Sequence, residues 1–255
     1  EYRRLRCDEG PLDAGRLSRE LEDDRIRVVT VSWVQFASGA RVDLAALGKL
    51  CRERGVYFVV DAIQGLGPLT LDLRSTPVDI LACGAQKWLL SPWGAGFVYV
   101  RRDLVTQLQP HDVSWLAVKD SDDFTRLTNY NLTWRDDARR FEFITLPYQE
   151  FAAMNATLEL IRELGASNVA AYSQSLADRI VAWACARGDV ALVTPSGRGQ
   201  YGSIVSVRPP DAAGASARLS EAGVVHSFRE GGIRLSPYFY NTIEEIDRTL
   251  RLIAD

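Results

Sequence analysis

The first half of the chain alternates short apolar runs with stretches of helical periodicity. The apolar runs, rich in β-branched residues, cover residues 26–32, 56–60, 79–83 and 94–100. Such runs are typical of strands buried within a sheet. Between the first two runs, apolar residues recur at helical spacing from Leu44 to Cys51, directly after Asp43, a residue type that caps helices. This order predicts an α/β fold whose mainly parallel sheet is flanked by helices.

The second half of the chain has a different pattern. A long helical repeat covers residues 148–187 and is interrupted near Gly165. After it, shorter strand-like and helix-like segments alternate up to residue 253, which predicts a small α+β domain. We therefore expect the C-terminal part of a large α/β domain in residues 1–147, a bridging helical segment in 148–187 and a small C-terminal α+β domain in 188–255.

Composition and charge narrow the class of protein. The chain has 255 residues, of which 47% are hydrophobic and 25% are charged, and its net charge is −3. These values are ordinary for a globular protein that buries a sizeable core. Because the chain has neither a run of like charges nor an apolar stretch of membrane-spanning length, we expect no nucleic-acid partner and no membrane partner.

The cysteines and histidines exclude several kinds of site. The four cysteines are scattered along the chain at Cys7, Cys51, Cys83 and Cys185. This spacing predicts neither a zinc site nor a disulfide framework, and it is typical of a protein of the reducing cytoplasm. With only two histidines, His111 and His226, a metal site is not expected.

Two chemically informative residues follow predicted strands. Ligands of parallel α/β sheets bind beyond the carboxyl ends of the strands, where Asp61 and Lys87 are expected. A carboxylate there can keep a cofactor's ring nitrogen protonated, although a strand-end Asp also caps turns. Lys87 is one of three lysines and lies in a mostly apolar run, which favours a lowered pKa and imine formation. The alternative is a lysine whose ammonium reaches solvent.

Two further polar residues are candidates for binding. Gln64 follows Asp61 closely enough to donate a hydrogen bond to a cofactor's ring oxygen, or to bond a loop instead. Arg234 lies on a predicted strand, and arginine is well suited to bidentate binding of a carboxylate. The alternative for Arg234 is an ordinary surface position on a strand.

Together these segments resemble the class V aminotransferase family of fold-type I enzymes that use pyridoxal 5′-phosphate (PLP). The resemblance rests on Asp61-x-x-Gln64 at a strand end, on Lys87 after Gly-Ala-Gln, and on the C-terminal segment from Arg234 to Asp247. It extends from about Val28 to the C-terminus. The family's first third has no counterpart here, so the chain is interpreted as an N-terminally truncated member with an incomplete cofactor site.

The resemblance implies a role for each of these residues. Lys87 is expected to form a Schiff base with PLP and to move protons at the substrate's α-carbon. Asp61 is expected to pair with the pyridine nitrogen, and Gln64 to bond the ring hydroxyl oxygen. Arg234 is expected to bind the substrate's α-carboxylate.

Some implied positions depart from the family's pattern. Gln86 replaces the usual histidine before the lysine, and Gly84 replaces a serine that helps to hold the phosphate, so that only the backbone N–H of Gly84 can contribute. Trp33, the candidate substrate-side residue after the first strand, stands where desulfurases have an asparagine. Thr145 follows a family-like segment at residues 140–142 and is expected to reach the phosphate bound by a partner subunit, which implies a homodimer.

The predicted function is an aminotransferase-like PLP enzyme acting on an amino acid or related amine. The alternatives are an isopenicillin-N epimerase-like epimerase or racemase, a PLP lyase, and a catalytically silent truncated relative. A cysteine desulfurase is disfavoured, because residues 226–229 lead almost directly into residues 231–234 with no loop for a catalytic cysteine. A nucleotide-binding α/β protein is disfavoured because neither GxGxxG nor GxxxxGK[ST] occurs.

Overall fold

The protein is represented by a computed structural model that describes residues 2–6, 12–126, 128, 131–143 and 145–255. The helices are α1 (Ala14–Glu20), α2 (Leu44–Glu53), α3 (Arg102–Val105), α4 (Tyr148–Leu164), α5 (Ala166–Ala186), α6 (Ala212–Glu221) and α7 (Ile243–Ala254). The strands are β1 (Val28–Ser32), β2 (Tyr57–Asp61), β3 (Ile80–Gly84), β4 (Gly96–Val100), β5 (Ala191–Leu192), β6 (Val205–Arg208), β7 (Ser227–Arg229) and β8 (Gly232–Leu235). Short 3-10 turns cover Trp115–Ala117, Phe124–Arg126 and Ala138–Phe141.

The first four strands form one sheet in the order β1-β2-β3-β4. Strands β1, β2 and β3 are parallel, and β4 runs antiparallel to β3. The register pairs Ser32 with Asp61 and Asp61 with Ala82. The carboxyl ends of the three parallel strands therefore meet at one edge, where Asp61 lies. The predicted α/β class with a mainly parallel sheet is confirmed.

Local sequence signals account for the helices around this sheet. Helix α2 begins where expected, since the Asp43 carboxylate accepts hydrogen bonds from the backbone N–H groups of Ala45 and Ala46, both at 3.0 Å. The long helical pattern divides into α4 and α5 at Gly165, whose φ of +84° suits glycine. Buried apolar side chains of α1, α2, α4 and the sheet form one core, which includes Leu17, Leu47, Phe58, Leu81 and Ile161.

The second half of the chain forms an antiparallel sheet in the order β5-β6-β8-β7. A second core lies between this sheet and helices α5, α6 and α7, and includes Leu176, Val205, Leu219, Ile233 and Leu250. Strands β7 and β8 are joined by Glu230 and Gly231, which both have positive φ angles. A two-residue turn with two positive φ angles matches the twist of a tight hairpin. The domain limits at residues 147 and 187 stay a prediction.

The loop after β1 attaches the second half to the first. Arg41 N–H donates to the Gln200 carbonyl at 2.7 Å, and Gly202 N–H donates to the Gly39 carbonyl at 3.0 Å. A Cβ atom at Gly39, where φ is +74°, would lie 1.9 Å from the Ile204 carbonyl oxygen. This close backbone approach requires glycine and brings the C-terminal sheet next to the carboxyl ends of β1 and β2.

The described part of the chain has three free cysteines: Cys51 and Cys83 are buried, and Cys185 is exposed. Cys7 lies outside the described residues. Among those residues, no three or more His, Cys, Asp or Glu side chains are grouped so that they could hold a metal ion. None of the helices in the described ranges is both long and apolar enough to cross a membrane.

Candidate active site

Asp61 is the last residue of β2, and its side chain is exposed at the carboxyl edge of the sheet. Its backbone carbonyl accepts a hydrogen bond from Trp33 N–H at 2.9 Å, which anchors the strand end. Carboxylate oxygen Oδ1 accepts from Ile63 N–H at 2.9 Å. One oxygen thus stabilises the following turn, as the turn-capping interpretation expected, while the carboxylate stays accessible to a ligand.

A groove of about 990 Å³ leads to this carboxylate along the outer edge of β1. It is lined by residues 2–5, by apolar and acidic residues in and around α1, by residues 25–32, and by Gln35, Val42 and Asp61. Val28 in its wall is 51% exposed, and among the described strands β1 stands at the edge of its sheet. Asp61 therefore faces open space rather than a closed core.

Lys87 lies in a closed loop that follows β3. Ser91 N–H donates to the Ala85 carbonyl at 3.1 Å, and Leu90 N–H donates to the Lys87 carbonyl at 3.1 Å. Trp88 and Leu89 are buried, whereas Lys87 is exposed. The two buried side chains fix the loop and leave the lysine directed away from the core, as a reactive amine requires.

Three charged side chains influence the protonation of Lys87. The pKa of the Lys87 amine is lowered, and the largest cause is partial burial, which disfavours the charged ammonium form. Asp61 raises that pKa, and the positive charges of Arg234 and Arg229 lower it further. Since such effects weaken rapidly with distance and screening, the four charged groups belong to one site. Residues from both halves of the chain are brought together here.

Arg229 gives a direct test of this environment. Arg229→Gln removes a positive charge that disfavours the ammonium form of Lys87, so we expect the pKa of Lys87 to rise. The neutral amine then forms only at higher pH. The measurement is the methylation of Lys87 by formaldehyde and cyanoborohydride, quantified by mass spectrometry as a function of pH. The midpoint of that profile should move to higher pH. Arg251→Gln on α7 is the control and should leave the profile in place. An unchanged profile in the Arg229 variant would contradict this account of the site.

Gln64 is held by the residue that follows the lysine. Its side chain is 8% exposed, and its Oε1 accepts a hydrogen bond from the indole Nε1 of Trp88 at 3.0 Å. No described residue accepts a hydrogen bond from the amide nitrogen of Gln64. The amide NH₂ group therefore remains available to a ligand acceptor, as the predicted cofactor contact needs.

Arg234 on β8 is half-buried and reaches across to the first half of the chain. Its Nη1 donates to the Phe36 carbonyl at 2.7 Å, and Nη2 lies 3.5 Å from the Ser227 hydroxyl. Burial and the nearby Arg229 lower its pKa. These contacts fix the guanidinium near Lys87, and an anion placed there would relieve the repulsion between the two arginines.

Gly84 and Gln86 are linked in space. A Cβ atom at Gly84 would lie 2.4 Å from Oε1 of Gln86 and 3.0 Å from Cδ1 of Ile63. The Gln86 amide thus occupies the space that a side chain at position 84 would need. Both residues lie beside Lys87 and stay predicted cofactor-binding candidates.

The two remaining candidates, Trp33 and Thr145, differ in burial: Trp33 is in the core and Thr145 is on the surface. Trp33 is 1% exposed, its ring lies against Gly65, and the Arg41 guanidinium is 5.7 Å from the ring centroid. A side chain buried to this extent has no surface for a substrate, so the packing does not support the predicted substrate contact. Thr145 is exposed and lies outside the regular elements, and its contact with a partner subunit stays a prediction.

Sequence reasoning missed Arg229 and Trp88. Arg229 has no distinguishing local signal, because arginines are common throughout the chain and the residue is exposed. Trp88 looks like an ordinary apolar neighbour of the lysine. The proximity of Arg229 to Lys87 becomes visible only when the two sheets are placed side by side.

Comparison with protein families agrees with this geometry. The family described as aminotransferase class-V matches residues 6–249. The chain belongs to this family. Its relatives include the uncharacterised aminotransferase YcbU of Bacillus subtilis, which is 29% identical over 246 residues, and isopenicillin N epimerase of Streptomyces clavuligerus, 29% identical over 260 residues. These alignments cover 96% and 97% of the chain but 64% and 65% of the relatives, so the chain spans just under two thirds of their length.

Solved structures show the same fold. The cysteine desulfurase of Thermococcus onnurineus superposes with a TM-score of 0.82 at 21% identity, over 96% of this chain and 63% of that protein. The cystine C–S lyase C-DES, solved with its product cysteine persulfide, superposes with a TM-score of 0.84 at 24% identity, over 95% of this chain and 64% of that protein. At these identities the likeness establishes the fold.

The residues of the site fit PLP, the predicted cofactor, which a solved structure of a C-DES variant holds covalently linked to glycine. Asp61 offers an accessible carboxylate for a protonated ring nitrogen, and Gln64 offers a free amide NH₂ for a ring oxygen. Lys87 offers an amine of lowered pKa for an aldehyde. The carboxyl edge of the first sheet, with the turn and loop that follow β2 and β3, thus carries one group suited to each of three features of the cofactor.

Proposed function

We propose that the protein is a PLP-dependent enzyme that acts on an amino acid or a related amine, with aminotransferase-like chemistry. The observation that supports this best is the exposed Lys87 in the loop after β3, beside the sheet edge at which β2 ends in Asp61, with a pKa lowered by partial burial and by the charges of Arg234 and Arg229. Such a reaction requires three groups: an amine nucleophile, a carboxylate that pairs with the protonated ring nitrogen, and a cation that binds the substrate's carboxylate. Membership of the class V aminotransferase family supports the same conclusion.

The cofactor, when bound, withdraws electrons from the substrate's α-carbon. In the proposed mechanism the amine of Lys87 would hold the cofactor at its aldehyde carbon. Once the substrate's amino group has replaced it there, the freed amine would move the α-proton. A lowered pKa helps, because a neutral amine is needed to accept a proton. Asp61 would keep the ring nitrogen protonated, Gln64 would donate to the ring oxygen, and Arg234 would bind the substrate's carboxylate and so hold the substrate close to Lys87.

The hairpin between β7 and β8 favours this reaction class over cysteine desulfuration. Glu230 and Gly231 are the only residues between the two strands, which leaves no room for a loop carrying a nucleophilic cysteine. Burial, followed by the negative charge of Asp61, raises the pKa of Cys83 to about 11, so its thiol stays protonated at neutral pH. Epimerase or racemase chemistry remains the second candidate, because it needs the same proton transfer, and a PLP lyase is the third.

We also propose that the whole protein is a homodimer and acts in the cytoplasm. The exposed position of Thr145 supports a contact with a partner subunit's cofactor phosphate. The free cysteines of the described chain support a reducing compartment. Size measurement by light scattering on the full-length protein tests the dimer.

The reaction class is tested on the full-length protein loaded with PLP. Each of a panel of amino acids is incubated with the enzyme in ²H₂O, and the products are analysed by mass spectrometry and chiral chromatography. Aminotransferase chemistry predicts a keto acid together with the aminated cofactor. A change of chirality without a keto acid would favour the epimerase. Absence of both products and of α-deuteration would identify a catalytically silent relative.

A further inference from the structure

The contact between Trp88 and Gln64 decides which end of the amide faces the cofactor site. An indole N–H is only a donor, whereas a glutamine amide has an acceptor oxygen at one end and donor hydrogens at the other. The 3.0 Å bond from Trp88 Nε1 therefore fixes Oε1 on the tryptophan side. The NH₂ group is left on the other side, without a partner among the described residues.

Trp88 is itself held rigidly. Tyr238 packs edge-on against the indole with ring centroids 5.2 Å apart, and the two residues are 1% and 7% exposed. Gly67 packs close to both residues, because a Cβ atom there would be 2.9 Å from the Trp88 Cβ and 2.7 Å from the Tyr238 hydroxyl. The φ of Gly67 is +108°, a backbone conformation that favours glycine, and the absence of a side chain there lets the turn after Gln64 pack against Trp88 and Tyr238.

We propose that Trp88 is a positioning residue that locks the Gln64 amide so that its NH₂ group donates to the ring oxygen of the bound cofactor. This inference rests on the proposed function. Without the indole donor, the amide is free to rotate by 180°, and its oxygen would then face the ring oxygen and repel it. Because Gln64 is buried, water does not readily replace the lost donor.

The test uses the full-length protein loaded with PLP and follows the pH titration of the bound cofactor's visible absorbance band. A donor to the ring oxygen stabilises its anionic form. Trp88→Phe, which keeps an aromatic ring against Tyr238, is expected to move the titration midpoint upward by on the order of 0.5–1 pH unit. The matched control is Trp183→Phe on α5, whose ring contacts Arg187, and this variant should titrate like the wild type.

A double-mutant cycle with Gln64→Met separates positioning from structural damage. If Trp88 acts through the Gln64 amide, Trp88→Phe should shift the midpoint in the wild-type background but not in the Gln64→Met background. Should Trp88→Phe fail to fold, benzothienylalanine at position 88 replaces only the indole N–H by sulfur and should give the same shift.

The outcomes distinguish this inference from the proposed function. A wild-type protein without a cofactor band would overturn the proposed function itself. A wild-type protein with a normal band, together with a Trp88→Phe variant of unchanged midpoint, would overturn the positioning role alone. An equal shift in both backgrounds would also overturn it, because the effect would then bypass Gln64.

Discussion

Replacing Lys87 with alanine in the full-length protein is expected to abolish covalent retention of PLP and to reduce turnover at least about 10³-fold. Both effects have one cause, because the amine that binds the cofactor's aldehyde is also the base that moves the substrate's α-proton. Alanine removes that amine while keeping the exposed position of residue 87. The measurement is absorbance before and after borohydride reduction, with intact mass to detect the attached cofactor.

The chain offers a matched control in Lys49. This lysine lies on the exposed face of α2 and forms an ion pair with Glu53 at 3.9 Å. Lys49→Ala should retain the visible band, the reduced adduct and the activity of the wild type. If the adduct persists in Lys87→Ala and disappears in Lys49→Ala, the cofactor is bound elsewhere and the site described here is wrong. If the wild type itself forms no adduct, the protein is a silent relative.

The fold was largely predictable because its signals are local. The cap at Asp43, the break at Gly165 and the apolar runs of β1 to β3 each depend on a few neighbouring residues. Asp61 and Lys87 could be predicted as site candidates for the same reason: Asp61 ends a strand, Lys87 lies shortly after one, and the carboxyl ends of parallel strands meet. The order of elements therefore indicated the sheet edge before any contact was known.

The contacts between distant segments were not predictable. Gln64 and Trp88 are 24 positions apart, and their bond requires a turn and a loop to pack together. Arg229 reaches the site because the loop after β1 docks onto the C-terminal sheet at Gly39. The packing of Trp33 was likewise not predictable: its side chain lies in the core against Gly65, which does not support the substrate contact that the resemblance implied.

The second large effect concerns Asp61. Asp61→Asn should lower turnover by about 10²–10⁴-fold, because a neutral amide does not hold a proton on the cofactor's ring nitrogen and the ring then withdraws electrons less well. The substitution is structurally mild, since the asparagine oxygen can still accept the hydrogen bond from Ile63 N–H. Steady-state turnover is compared with that of Asp72→Asn, an exposed residue paired with Arg74.

The same variant has a second consequence, which a purely structural role would not produce. Asp61 raises the pKa of Lys87, so removing its charge removes the larger of the two contributions that oppose the partial loss of water and the two arginines, and the pKa of Lys87 should fall further. The amine of Lys87 should then be neutral at lower pH, and its methylation profile should move downward, opposite to the shift expected for Arg229→Gln. Opposite shifts would establish that both charges act on Lys87 directly. A turnover within about threefold of the wild type and an unchanged profile would reduce Asp61 to a turn cap.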